Sequence, residues 1–209
     1  TITGPTAVCD GLTITLTGSG TPAAANPWVS SNTGVATITN AGVVTGVNPG
    51  TTVITYTNNN GCSNTVTITV NAQPTITGPT AVCDGLTITL TGSGTPAAAN
   101  PWTSSNTGVA TVTNAGVVTG VNPGTTVITY TNNNGCSNTV TITVNAQPTI
   151  TGTLTVCVGS TTTLTGSGTP AAANPWVSSN TGVATVTNAG VLTGVAAGTT
   201  TITYTNNNG

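Results

Sequence analysis

The sequence predicts an all-β protein built as a tandem array of small β-sandwich domains. Val, Ile and Thr dominate it and alternate with a period of two, the pattern of half-buried strands. Short Gly-, Pro- and Asn-containing stretches interrupt that alternation every several residues, as turns do. The whole pattern also repeats. The stretch WVSSNTGVATITNAGVVTGVNPGTTVITYT, from Trp28 to Thr57, returns from Trp102 and again from Trp176, at spacings of 102 − 28 = 74 and 176 − 102 = 74. A fixed period of this kind marks a chain of repeated structural units.

The units are expected at 1–74, 75–148 and 149–209. The first two differ at two positions, Val29 against Thr103 and Ile38 against Val112. The third departs mostly near its start, in TLTVCVGSTTTLT. By register it reaches Gly209 before the segment CSNTVTITV that follows Gly61 in the first unit, so its last strand is expected to be missing.

Within the first unit the elements follow in order. Thr1–Thr3 and Ala7–Cys9 form a first strand broken at Gly4-Pro5. Leu12–Thr17 sets Leu12, Ile14 and Leu16 against Thr13, Thr15 and Thr17 on the opposite face. Gly18 to Asn26 is a loop of turn formers. Trp28–Ser31 is a short strand. Val35–Thr39 and Val43–Val47 flank Asn40-Ala41-Gly42, a three-residue hairpin turn with a glycine available for positive φ. Asn48-Pro49-Gly50 is a second turn. Thr51–Thr57 places Ile54 and Tyr56 on one face, and Asn58–Gly61 turns the chain. Ser63–Val70 then puts Val66, Ile68 and Val70 on one face and Thr65, Thr67 and Thr69 on the other.

About seven short strands without a helical period match an immunoglobulin-like sandwich. The apolar side chains would fill the space between two sheets and Thr would coat the outside. Each unit supplies one Trp and one Tyr to that core: Trp28 and Tyr56, Trp102 and Tyr130, Trp176 and Tyr204. An exposed Trp platform for sugars is the rival reading, and a core Trp on the third strand fits the sandwich better.

Composition excludes much. The chain has no Lys, Arg, His, Met or Phe, and its only carboxylate side chains are Asp10 and Asp84. The usual general bases, activated nucleophiles and charged clamps are absent, so no enzyme and no cofactor is expected. Without basic residues, neither nucleic acid nor an anionic membrane surface is an expected partner. No apolar run approaches the ~20 residues of a membrane-spanning helix. A net charge of −2 gives little repulsion between copies, which tolerates self-association.

A domain this small is marginal by burial alone, so a staple is expected. Cys9 and Cys62 are separated by 62 − 9 = 53 positions, and so are Cys83 and Cys136. Two pairings are open. Cys9–Cys62 and Cys83–Cys136 would close each domain at on the order of 4 kcal/mol, with Cys157 bonded to a residue past Gly209. Cys62–Cys83 and Cys136–Cys157 would instead cross each linker. The first is favoured, because it closes a domain and needs no fixed linker. Either implies an oxidising, extracellular setting. Isolated cysteines without His do not suggest zinc.

The run W-x-S-S-N-T-G-V-A-T-V-T-x-x-G-x-V-T-G-V-x-x-G-T-T-x-I-T-Y resembles bacterial immunoglobulin-like domains of group 2. These recur in tandem in large surface proteins, including relatives of the intimin and invasin stalks. The cysteines and the opening TGTLTVCVGSTTTLT resemble the version found in giant surface repeat proteins of Bacteroidetes-type bacteria. The resemblance spans the chain. It implies a β-sandwich, export to the bacterial cell surface, a structural or adhesive role, and no active site. The lack of charge departs from ordinary members.

The remaining features have plainer readings. Asp10 and Asp84 suit a turn or cap better than calcium, which usually takes more than one carboxylate, and the third repeat has Val158 there. The Thr ladders are ordinary outward strand residues rather than an ice-binding face. Asn58-Asn59-Asn60-Gly61 is a turn, and Asn71–Pro74 and Asn145–Pro148 are short semi-stiff linkers. The expected function is a structural extracellular fibre or cell-surface stalk that can assemble into filaments. An adhesin module binding glycans or a surface protein is the alternative, with the loop GSGTPAAANP as its one sizeable candidate surface.

Overall fold

The computed structural model describes residues 1–208, and every regular element among them is a strand. In the first repeat these are β1 (Ile2–Thr3), β2 (Ala7–Cys9), β3 (Thr13–Thr15), β4 (Thr17–Gly18), β5 (Trp28–Ser30), β6 (Ala36–Ile38), β7 (Val43–Gly46), β8 (Gly50–Thr57) and β9 (Ser63–Asn71). One sheet has the order β2-β9-β8-β5 and the other β3-β7-β6, with β1 pairing β4 beside it. The second repeat reproduces both sheets. The chain folds as tandem immunoglobulin-like β-sandwiches.

Alternation sets which side chains meet between the sheets. Val8, Leu16, Val44, Ile54, Ile68 and Val70 form the centre of the first core, and Trp28 pairs with Tyr56 at its edge. Trp28 and Tyr56 are direct cross-strand partners on β5 and β8. Their ring centroids lie 4.6 Å apart, and the Trp102–Tyr130 and Trp176–Tyr204 pairs repeat the arrangement at 4.5 and 4.6 Å. Each Tyr ring presses on a backbone that must be glycine: a Cβ at Gly18, Gly92 or Gly166 would fall on the ring itself. Gly42, at φ 80°, closes the turn between β6 and β7 against the Leu16 carbonyl.

Two expectations about side-chain direction need correction. Leu12 precedes β3 and is 52% exposed, because a turn closed by its amide on the Cys9 carbonyl takes it off the core face. Thr52 and Thr126 are buried rather than part of an outer Thr coat. Each is in phase with the Ile and Tyr that follow it on the same strand, so the alternation turns it inward.

The third repeat keeps one four-stranded sheet, Ile150–Gly152, Thr161–Gly166, Val191–Gly194 and Ala184–Val186. Trp176–Ser178 pairs with Ile202–Tyr204. A groove of about 530 Å³ lies over Val156, Leu164, Leu192 and Ile202. By register this is where Ile68 and Val70 sit in the first core.

Candidate functional site at the repeat junction

The direction of one short strand builds this site. β2 pairs with β9 in parallel, with Cys9 opposite Asn71. Cys9 therefore lies at the far end of β9, where the chain leaves the first repeat. Cys62 lies at the other end, just before Ser63. The nine steps along the chain from Cys62 to Asn71 span about 30 Å of strand. A disulfide needs Cα atoms within about 7 Å, so Cys9 and Cys62 cannot meet across one sandwich.

Cys9 instead bonds Cys136 of the second repeat, with Cα atoms 5.7 Å apart and 127 positions between them in sequence. This overturns the expected Cys9–Cys62 and Cys83–Cys136 bonds. It also differs from the linker-crossing pairs Cys62–Cys83 and Cys136–Cys157. Cys62 and Cys157 are exposed, while Cys83 is buried. The parallel pairing brings the exit end of one repeat against the hairpin end of the next, and the bond crosses that junction.

The linker is gripped from both sides. From the first repeat, Asp10 Oδ1 accepts a hydrogen bond from the Gln73 amide at 2.7 Å, and Gln73 Nε2 donates to the Asp10 carbonyl at 3.0 Å. From the second repeat, Asn138 Nδ2 donates to the Pro74 carbonyl at 2.9 Å, and Asn132 Nδ2 reaches the Ala72 carbonyl at 3.4 Å. Asn132 does two jobs. Its Oδ1 accepts from the amides of Asn134 and Cys136, which shapes the hairpin that carries Cys136. Fixing the oxygen in that turn leaves the Nδ2 group to face the neighbour.

The next junction repeats the grip on its first side. Asp84 Oδ1 accepts from the Gln147 amide at 2.8 Å, and Gln147 Nε2 donates to the Asp84 carbonyl at 2.9 Å. Asn206 is as buried as Asn132, at 6% exposure each, whereas Asn58 in the first repeat is less buried. The aspartates thus hold linkers. Among the described residues no group of three or more Cys, Asp, Glu or His could hold a metal ion.

A second polar cluster sits inside each sandwich. Thr126 Oγ1 lies 3.1 Å from Ser104 Oγ and 3.2 Å from Ser105 Oγ, and accepts from the Asn106 amide at 3.0 Å. Thr52 makes the same contacts with Ser30, Ser31 and Asn32. These bonds tie the end of the Trp-bearing strand to the central strand. The Trp and Tyr side chains named above are buried, and each Tyr hydroxyl donates to a loop carbonyl, as Tyr56 does to Gly20 at 3.2 Å.

Compared with known families, the chain matches the model of the bacterial Ig-like domain (group 2) three times, over residues 1–70, 68–144 and 143–209. The chain belongs to that family. No curated protein matches it. Among solved structures it is similar to domains 4 and 5 of the S-layer protein SbsC, at 27% identity over 64% of this chain and 82% of that one, with a TM-score of 0.28. It is also similar to a C-terminal fragment of intimin solved with the translocated intimin receptor's intimin-binding domain. That match has 17% identity over 76% of this chain and 68% of the other, with a TM-score of 0.46. In this chain, the first two group 2 Ig-like repeats are joined by a disulfide and by a clasp on their linker. Residue order showed the five cysteines but not the strand direction that decides their partners.

Proposed function

We propose that this chain is a structural segment of an extracellular fibre or cell-surface stalk. The observation that carries the proposal is the junction. Consecutive Ig-like repeats are joined by a disulfide and by side chains that grip the linker from both sides. A protein that only needed folded domains on a string would not need these devices. The disulfide also suits an oxidising compartment. We assign no reaction to the chain, since its side chains offer no Lys, Arg or His and its two aspartates are engaged with linkers. No helix among the described residues is long and apolar enough to cross a membrane.

The proposal extends to self-association of copies into filaments, supported by a net charge of −2 over 209 residues, which leaves copies little mutual repulsion. Antibody against the array, applied to intact and to lysed cells that make it, tests the location. Equal labelling of both is expected. Labelling only after lysis would overturn the surface reading. Electron microscopy of native material tests assembly: ordered filaments support it, and single separate threads refute it.

A further inference from the structure

The disulfide does more than join two neighbours. It closes a loop that contains nearly all of both sandwiches. Tension entering at Thr1 and leaving past Pro148 has a short covalent route: residues 1–9, the Cys9–Cys136 bond, and residues 136–148. Everything between positions 9 and 136 lies off that route. This includes β3 to β9 and their hydrophobic core, and all of the second repeat before Cys136.

We propose that the Cys9–Cys136 bond is a shunt that carries tension past both sandwiches and makes the junction inextensible. This deepens the structural reading, and its test depends only on mechanics. In a chain without the bond, pulling unfolds each sandwich in turn and pays out its length. With the bond, residues 10 to 135 cannot be drawn out at any force that leaves the S–S bond whole. The two Cys Cα atoms stay 5.7 Å apart. Unshielded, the same 127-position separation would stretch to about 440 Å.

The direction of pull fits the role. β2 and the strand Ser137–Asn145 meet the bond at Cys9 and next to Cys136, so the route enters and leaves the bond along a strand on each side. Pairing within a repeat would shield only 53 positions in each of two domains and leave the linker as the one connection. The observed pairing also keeps the two repeats connected if the backbone is cut anywhere between them.

The test is single-molecule stretching of the full chain held at its two ends, first oxidised and then with a phosphine reductant. The reductant breaks one S–S bond to give two thiols and becomes the phosphine oxide, its oxygen coming from water. The oxidised chain is expected to extend by no more than its 209 − 127 = 82 unshielded residues allow, about 290 Å. The third repeat lies in the unshielded part, so its unfolding appears in both conditions and serves as the internal control. Reduction should then release about 440 Å more. Cys9→Ser and Cys136→Ser should each give the long contour without reductant, whether or not the variant folds well, because contour length does not depend on folding. Cys62→Ser should keep the short one. Equal contours before and after reduction, or a shielded length in units of 53 residues, would overturn the shunt. A shunt confirmed in a protein found only inside cells would refute the surface reading and leave this one standing.

Discussion

Thr126→Val tests whether the buried threonines are polar fasteners or merely small core residues. The substitution keeps shape and β-branching and removes one hydroxyl. Thr126 is 3% exposed, and its Oγ1 accepts from the Asn106 amide at 3.0 Å while contacting Ser104 Oγ and Ser105 Oγ. The serines keep other bonds: Ser104 Oγ donates to the Ala110 carbonyl at 2.7 Å, and Ser105 Oγ accepts from the Val127 amide at 3.0 Å. The Asn106 amide would lose its partner. Leaving one such group unpaired in a part-buried site costs about 2 kcal/mol. For a domain of this size that is a drop of roughly 8–16 °C in the transition of the second repeat. Thr126→Ser keeps the hydroxyl, loses one methyl, and should cost about 1 kcal/mol. The order is the diagnostic: Val should be worse than Ser. Hydrogen exchange supplies the local readout, because Thr103 in place of Val29 gives peptides over Asn106 their own mass. The Asn106 amide should lose protection in Thr126→Val and retain it in Thr126→Ser. If Val proves as stable as wild type, or Ser proves worse than Val, the Thr126 hydroxyl fastens nothing.

Other outcomes follow from the same structure. Gly92→Ala drives a Cβ into the Tyr130 ring and should cost on the order of 3 kcal/mol, read by chemical denaturation; a change below ~0.5 kcal/mol would contradict the close approach. Asn100 sits at φ 47°, so Asn100→Gly should be nearly neutral and Asn100→Val should lose about 1–2 kcal/mol in the same assay. Val29→Thr installs the residue of the second repeat at an exposed site and should move stability by less than about 0.5 kcal/mol. Asn138→Ala removes the clasp on the Pro74 carbonyl. It should leave each domain's unfolding within about 1 kcal/mol of wild type and broaden the inter-repeat distance distribution, measured by spin labels on neighbouring repeats. An unchanged distribution would show that the clasp does not set the geometry.

Much of the fold was legible because alternation is a direct record of which side chains face inward. The strands around Ile54 and Ile68 begin and end within a residue or two of their expected limits. Trp28 and Tyr56 lie in the core where the sandwich pattern puts them. Thr52 shows the cost of reading residue type over phase. It shares a face with Ile54 and Tyr56, and that phase was in the sequence. The junction was less legible for a different reason. Residues Ala7–Cys9 are too few to show whether their strand runs parallel or antiparallel to its neighbour, yet that direction decides which end of the sandwich Cys9 occupies. Spacing alone treated the bond as closing a domain. In the same way NNNG reads as a turn, and nothing in it shows that Asn132 Nδ2 also reaches a neighbouring repeat.

The sequences flanking Cys9 and Cys83 are the same, as are those flanking Cys62 and Cys136, so ordinary peptide mapping cannot separate the pairings. Cleavage before the two aspartates can. With thiols blocked and the chain denatured but unreduced, cutting before Asp10 and Asp84 yields residues 1–9, 10–83 and 84–209. The structure predicts that 1–9 is found bonded to 84–209 through Cys9 and Cys136. Finding 1–9 bonded to 10–83 through Cys62 would contradict it and return the staple to the interior of a single repeat.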